Sequence, residues 1–317
     1  MAVQVYSCSA FCFVQGQFAL RRNLLQRGMK SFVLTVKIKT DRIKCNYFCG
    51  RNKMIELAKR IALNQTVINE IEALSKNKKI NIDSLAENCM KRGFHILKGK
   101  SPMIALAVIL KLAVDVKEQY DKYGIDENIY YDTMSDIKIW CEKTGNKGIS
   151  EYMWFKNHLK FELFRLGRLQ FQLYPCNNKT LLYNKLPFKY GDNLIYIHIP
   201  EGEKLNTQRC EESIDMARQF FDVYFSEHNY EYFFCESWLL FEGNRDFMAG
   251  DSNIVKFMGL FKDCYSMKID VQAIERIYGK RKLIKKNYSE NSDLQRRAKA
   301  YMLDGNKLGI GVAVIRK

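Results

Sequence analysis

With 317 residues, 47% of them hydrophobic and 13% aromatic, the chain can bury two sizeable cores, and this composition excludes an intrinsically disordered protein. The formal net charge of +16 is concentrated early: residues 1–53 hold ten Lys or Arg against one acid, a net +9, whereas residues 54–317 hold 41 against 34, a net +7. A body so nearly balanced can favour anionic partners, but charge alone does not make it a nucleic-acid binder.

The first twenty residues lack the cationic start and continuous apolar core of a secretory signal. No later run reaches the roughly 18 apolar residues of a membrane span, so a soluble, cytoplasmic protein with no membrane partner is expected. Ten cysteines without a secretory signal point to free thiols in a reducing compartment. Cys8 and Cys12, with Cys45 and Cys49, repeat a four-residue offset that a zinc site can use, but no turn-forming knuckle surrounds either pair and no metal is expected. Residues 33–38 read as a short strand. Residues 1–53 are treated as a basic, cysteine-containing extension outside the functional fold, because Met54 opens the first sustained helical period.

From Met54, Leu57, Ile61, Ile68, Ile71 and Leu74 recur at helical intervals, and the lysines at 76, 78 and 79 close what reads as one long helix. Asp83-Ser84 opens a second helix. Ser101-Pro102 opens a third, apolar almost all round, that runs to Gly124. Residues 126–141 read as another helix, and Gly145 and Gly148 mark a boundary, so residues 54–148 form a small helical domain without a catalytic constellation.

Residues 149–317 alternate strands and helices, as in a layer of helices on a mixed sheet. After a linking helix near residues 150–161, Arg168, Gln170, Gln172 and Tyr174 alternate with Leu169, Phe171 and Leu173, the period of a strand with one apolar and one polar face. Leu194, Tyr196 and His198 alternate likewise with Ile195, Ile197 and Ile199, so two neighbouring strands with polar faces on one side are expected, joined through a short ribbon at residues 181–183. Asn206 or Thr207 caps a helix with the buried stripe Cys210, Ile214, Ala217, Phe221 and Tyr224. Residues 232–240 form the next strand, residues 253–261 a short helix, residues 267–269 an extended piece, residues 271–278 and 292–303 two helices, and residues 308–315 the last strand.

Five places offer chemistry. His198 and Glu201 emerge where Pro200 and Gly202 end a strand, and both a structural His and a tunable base fit. Glu236 sits among Phe233, Phe234, Cys235 and Trp238, where an ionised carboxylate is costly. It is either a general base of raised pKa or a buried partner for a cation such as Arg168. Cys235 and Ser237 share the opposite strand face; Cys235 lacks the cationic setting of a nucleophile. Gln295 and Arg296 offer an amide and a guanidinium for phosphate, or a solvated helical face. Arg276, Lys280, Arg281, Lys282, Lys285 and Lys286 form either a phosphate or nucleic-acid patch or a solvated loop.

GRLQF at 167–171, HIPEG at 198–202, Ser213, Ala217, Phe220 and Phe221 on one helix, CESWLL at 235–240, DSNI at 251–254 with Phe257, LQR at 294–296 and the terminal GNKLGIG occur in this order. In these pieces the chain resembles a bacterial family of acyltransferase-domain proteins with a helical N-terminal part and a GNAT-like C-terminal domain. The resemblance implies an α+β fold: a small helical domain followed by a GNAT-like mixed sheet with packed helices. It also implies acyl transfer from acyl-CoA, a cosubstrate held in a V-shaped opening between two strands, to an amine, with no metal or permanent cofactor. Glu236 or Glu201 is then the base and His198 an orienting or relaying group. Arg168, Gln170 and Ser237 contact the acceptor, and Gln295 and Arg296 contact the coenzyme. The family's Gly-rich phosphate signature has only Asn306 to Gly311 as a counterpart, with no helix behind it. A non-catalytic GNAT-like module that binds a small molecule or peptide is the alternative.

Overall fold

The structure is a computed structural model and describes residues 52–77, 79–177 and 186–317. Residues 1–51, with the cysteine pairs and the strand expected at 33–38, and the ribbon expected at 181–183 lie outside them.

Two helices, residues 52–60 (α1) and Gln65–Lys76 (α2), replace the single long one expected, and Met54 lies within the first turn of α1. The chain turns at Ala62, where φ is 55°, and Asn64 restarts the helix by accepting from the Thr66 N–H at 2.9 Å and the Thr66 hydroxyl at 2.7 Å. Leu57, Ile61, Ile68 and Ile71 are buried on both sides of the break, which is why the apolar spacing conceals it. Helix α3, Ile82–Arg92, is capped by Asn81. Helix α4, Pro102–Tyr123, starts at Ser101 and stops at Gly124 in the left-handed region, as its sequence signals predict. Its Ala105–Leu110 run is wholly buried, so α4 is the central post of the helical part. The helix expected over 126–141 is also two, α5 (Glu127–Met134) and α6 (Asp136–Lys143), with Ser135 between them. A tight turn at Tyr152–Phe155 and the short α7, Lys156–Leu159, lead into the sheet.

Among the described residues six strands follow: β1 (Leu163–Leu166), β2 (Leu169–Pro175), β3 (Asn193–His198), β4 (Tyr232–Ser237), β5 (Lys262–Met267) and β6 (Ile310–Arg316), in the spatial order β1-β2-β3-β4-β6-β5. Only β3 and β4 are parallel. The sheet and the helical part share one continuous core, from Met54 through Phe164, Phe171 and Phe233 to Ala313. Strand β1 has no polar face to alternate with, since all four residues are buried, and the sequence reading missed it. Likewise β5 occupies 262–267 instead of the expected 267–269.

Helix α8, Thr207–Tyr224, is capped by Asn206 and buries Cys210, Ile214, Ala217 and Phe221. The β1–β2 turn is pinned to it: Gly167 has φ 68°, a Cβ there would stand 2.8 Å from Ser213 Oγ, and the Arg168 N–H donates to that oxygen at 2.7 Å. Strand β4 ends at Ser237 in a tight turn, Trp238–Leu240, followed by α9 (Asn244–Phe247) and by α10 (Asn253–Met258), which Ser252 caps. Helices α11 (Val271–Tyr278) and α12 (Asp293–Leu303) pack around a smaller core of Phe247, Ile274, Ile277, Tyr288 and Met302.

Candidate active site

The site begins with a break in the sheet. Strands β3 and β4 pair over only three positions, Leu194↔Tyr232, Ile195↔Phe233 and Tyr196↔Phe234. Beyond these, β3 stays bound to β2 as far as Gln170↔His198, and β4 stays bound to β6 as far as Ser237↔Gly311. The two halves of the sheet therefore diverge past Tyr196 and Phe234. Such a divergence leaves main-chain groups on the facing edges without a strand partner, so the opening can accept an extended polar chain.

Registers place Gln170 opposite His198 and Gln172 opposite Tyr196, so the polar faces expected of these strands do share one side. Tyr196 opposes Phe234 in turn, and Glu236 follows Phe234 by one strand period on the same face. Tyr196 and His198 of β3 and Glu236 of β4 thus flank the opening, with Gln172 behind them on β2. His198 Nε2 lies 2.8 Å from Gln172 Oε1, and burial, aided by nearby His158, pulls the imidazole down to about 3, so His198 is neutral near pH 7. The Tyr196 ring lies tilted against it with centroids 4.2 Å apart, and the Tyr196 hydroxyl donates across the opening to the Glu236 carbonyl at 3.5 Å. Burial alone pushes the Glu236 carboxyl above its ordinary range. No described residue hydrogen-bonds or ion-pairs with that carboxylate, so the reading of Glu236 as a partner for Arg168 is corrected.

Beneath His198 lies a buried polar cluster that the sequence reading missed. The Asp136 carboxylate, 2% exposed, accepts from Trp154 Nε1 at 2.5 Å and lies 3.2 Å from Nε2 of fully buried His158. Burial alone would raise Asp136, but the adjacent His158, the hydrogen bond from the Trp154 indole and the nearby Gln170 amide together hold it below the usual carboxylate range. Trp154 packs edge-on against both His158 and His198, with centroids 5.5 and 5.1 Å apart. The break at Ser135, which the apolar spacing conceals, puts Asp136 in the first turn of α6.

The segment after β3 is held by Arg168. This guanidinium, 3% exposed, donates to the carbonyls of Pro200 at 3.0 Å, Glu203 at 2.8 Å and Lys204 at 3.1 Å. It braces the loop, which corrects the expectation that it contacts an acceptor. Gln170, fully buried beside Asp136, is likewise enclosed. Glu201 is exposed and lies between Lys143 Nζ, at 2.8 Å, and Arg276, an ionic clasp from α6 to α11 that leaves its carboxylate poorly placed for a base. Glu203 pairs with Arg165 at 2.5 Å and Arg209 at 2.7 Å.

Other candidates have local duties. Ser237 Oγ accepts from the Leu239 N–H at 3.2 Å and caps the turn after β4. Gln295 spans α11 and α12, its Nε2 donating to the Ile277 carbonyl and its Oε1 accepting from the Asn291 N–H. Arg296 donates to the Glu290 carbonyl at 3.2 Å. These bonds give Ser237, Gln295 and Arg296 contacts within the fold. Cys235 is buried and burial drives its thiol far up, away from nucleophilic thiolate. A Cβ on Gly309 would stand 2.2 Å from the Met267 carbonyl oxygen, and one on Gly311 2.0 Å from that of Leu240, so these glycines serve close packing of β6. Among the described residues no group of three or more His, Cys, Asp or Glu is placed to hold a metal. No described helix is long and apolar enough to cross a membrane.

A helical part followed by a mixed sheet opened between its two parallel strands is the architecture of a GNAT-like fold. Residues 52–161 match the N-acyltransferase N-terminal domain, and residues 163–315 match the GNAT-like C-terminal domain. The chain belongs to the acyltransferase family that joins these two domains. No curated protein matches it by sequence. Among solved structures it is similar to an acyltransferase in complex with decanoyl-CoA and teicoplanin, at 20% identity over 82% of this chain and 86% of that one, with a TM-score of 0.66. A mutant acyltransferase in complex with octanoyl-CoA gives 21% identity, the same coverage and a TM-score of 0.67.

Proposed function

We propose that the protein transfers an acyl group from acyl-CoA to a primary amine, with the thioester in the β3–β4 opening. The observation that carries this reading is the end of β3–β4 pairing at Tyr196↔Phe234 beside Glu236 and His198. The pantetheine arm would pair with the free strand edges, and a strand N–H would polarise the thioester carbonyl. Glu236 takes a proton from the amine, the nitrogen attacks the carbonyl carbon, and collapse of the tetrahedral oxyanion breaks the C–S bond. The proton taken by Glu236 passes to the departing thiolate, so free coenzyme A and an amide result and the carboxylate is restored. Glu236 is the base because no described residue pairs with it and burial raises its pKa, whereas Glu201 is held by two cations. Neutral His198, fixed by Gln172, orients the amine or relays its proton.

The related acyltransferases captured with octanoyl-CoA and decanoyl-CoA support a medium-length acyl chain, and the one bound to teicoplanin supports a bulky acceptor such as a glycopeptide amine. Release of free thiol from decanoyl-CoA, followed with a panel of amines that includes a glycopeptide, tests the reading. Amine-dependent release with amide formation supports it; tight binding without turnover toward any amine favours the non-catalytic module. The packing role of Gly309 and Gly311, where a phosphate turn would otherwise lie, is the observation behind that second reading.

A further inference from the structure

The segment from Lys280 to Lys286 carries five cations and no acid, and its central residues are aliphatic. Leu283 is 104% exposed and Ile284 59%, the first being the most exposed large apolar side chain among the described residues. An isolated exposed leucine needs no explanation, but two adjacent ones at the tip of a basic loop do. The loop is braced at its base. The Tyr278 and Tyr288 rings meet at 4.4 Å, the Lys282 N–H donates to the Tyr288 hydroxyl at 3.0 Å, and Lys285 Nζ donates to the Met302 carbonyl at 2.7 Å. Arg281 pairs with Asp270 and so draws the loop alongside residues 268–271, where Ile269 is 48% and Val271 53% exposed. The result is an exposed aliphatic pair in a segment whose Lys280, Lys282 and Lys286 are exposed and form no ion pair with a described residue.

We infer that this face docks on an anionic phospholipid bilayer, with Leu283 and Ile284 entering the headgroup boundary and Lys280, Lys282 and Lys286 on lipid phosphates. Aliphatic side chains bracketed by lysines suit that boundary, because the tips leave water while the ammonium groups stay in it. A nucleic acid is the poorer fit: Leu283 and Ile284 offer bases nothing to stack on, and Tyr288 is buried in the loop's base. Peripheral docking requires no spanning helix, so it revises only the expectation of no membrane partner. It stands independently of the acyl-transfer reading.

The test is co-sedimentation of the full chain with vesicles of phosphatidylcholine and phosphatidylglycerol in equal parts. The basic segment before residue 54 is present in every protein compared, so the readout is the difference between variants. Leu283→Ser with Ile284→Ser should weaken partitioning about tenfold or more. Lys280→Gln, Lys282→Gln and Lys286→Gln together should weaken it on the order of 100-fold, from about fivefold per charge. All five side chains are exposed, and two variants on different residues keep the test decisive if one loses stability. Unchanged partitioning of the aliphatic variant overturns the inference. So does a pattern in which the lysine variant loses binding to a labelled single-stranded RNA while the aliphatic variant keeps its affinity for both RNA and vesicles.

Discussion

Replacing Glu236 by Gln keeps the side chain's size and hydrogen-bonding capacity and removes its charge and its basicity. The two consequences can be separated because the carboxylate has no partner among the described residues. Its folded pKa is raised by burial above the ordinary 4.5, so its contribution to stability is greatest below that value and is lost as pH rises through the folded pKa. At pH values above that window the charge opposes folding. Glu236→Gln should therefore unfold in urea at the wild-type midpoint or above it, with a change of no more than about 1 kcal/mol in the destabilising direction. A buried ion-pair partner would instead have cost about 3–5 kcal/mol. Loss of the base should lower kcat about 100-fold or more, equivalent to roughly 2.7 kcal/mol of barrier, while KM for acyl-CoA changes little. The acid limb of the pH–rate profile, set above the ordinary carboxylate range in the wild type, should disappear. Free-thiol release and urea titration on the same preparation give both numbers. A variant that turns over within a few-fold of wild type would refute Glu236 as base, and one that loses several kcal/mol of stability would refute the unpaired carboxylate.

Asp136→Ala strands the Trp154 indole N–H and removes the neighbour of His158, so it should cost about 3 kcal/mol in urea unfolding. His198 has a folded pKa of about 3 against an ordinary 6.5, so stability is full above pH 6.5 and declines as pH falls toward 3. His198→Gln should flatten that decline by up to about 1.4 kcal/mol per pH unit, read from urea midpoints at pH 7 and pH 5. Arg168→Leu leaves the Pro200, Glu203 and Lys204 carbonyls without their donor, and should lower the melting temperature and admit proteolysis at residues 200–204, with about 2–4 kcal/mol lost.

What the sequence revealed follows from which physical signals are local. Caps are local, so Ser101-Pro102, Gly124 and Asn206 marked helix ends that the structure keeps. Period-two alternation is local as well, and it placed Gln170, Gln172, Tyr196 and His198 on one face before any register was known. Breaks inside a continuous apolar period are not visible that way: Ala62 and Ser135 interrupt helices whose buried stripes carry on across them. A strand buried on both faces has no alternation to display, and β1 was missed for that reason. Within the site, Glu236 and His198 were legible because a polar residue in an apolar strand stands out. Arg168 was misjudged because its three acceptors are main-chain carbonyls 32 to 36 residues away, which no side-chain pattern reveals. Asp136 and His158 were missed because each is unremarkable alone and they meet only when α6 and α7 pack together.

The account rests on acyl-CoA entering the opening between β3 and β4, and titration calorimetry with acyl-CoAs of increasing chain length measures that entry. The prediction is one site per chain, with decanoyl-CoA binding more tightly than acetyl-CoA, because each further methylene that leaves water adds up to about 0.8 kcal/mol. Absence of binding heat with either thioester at millimolar concentration would contradict it.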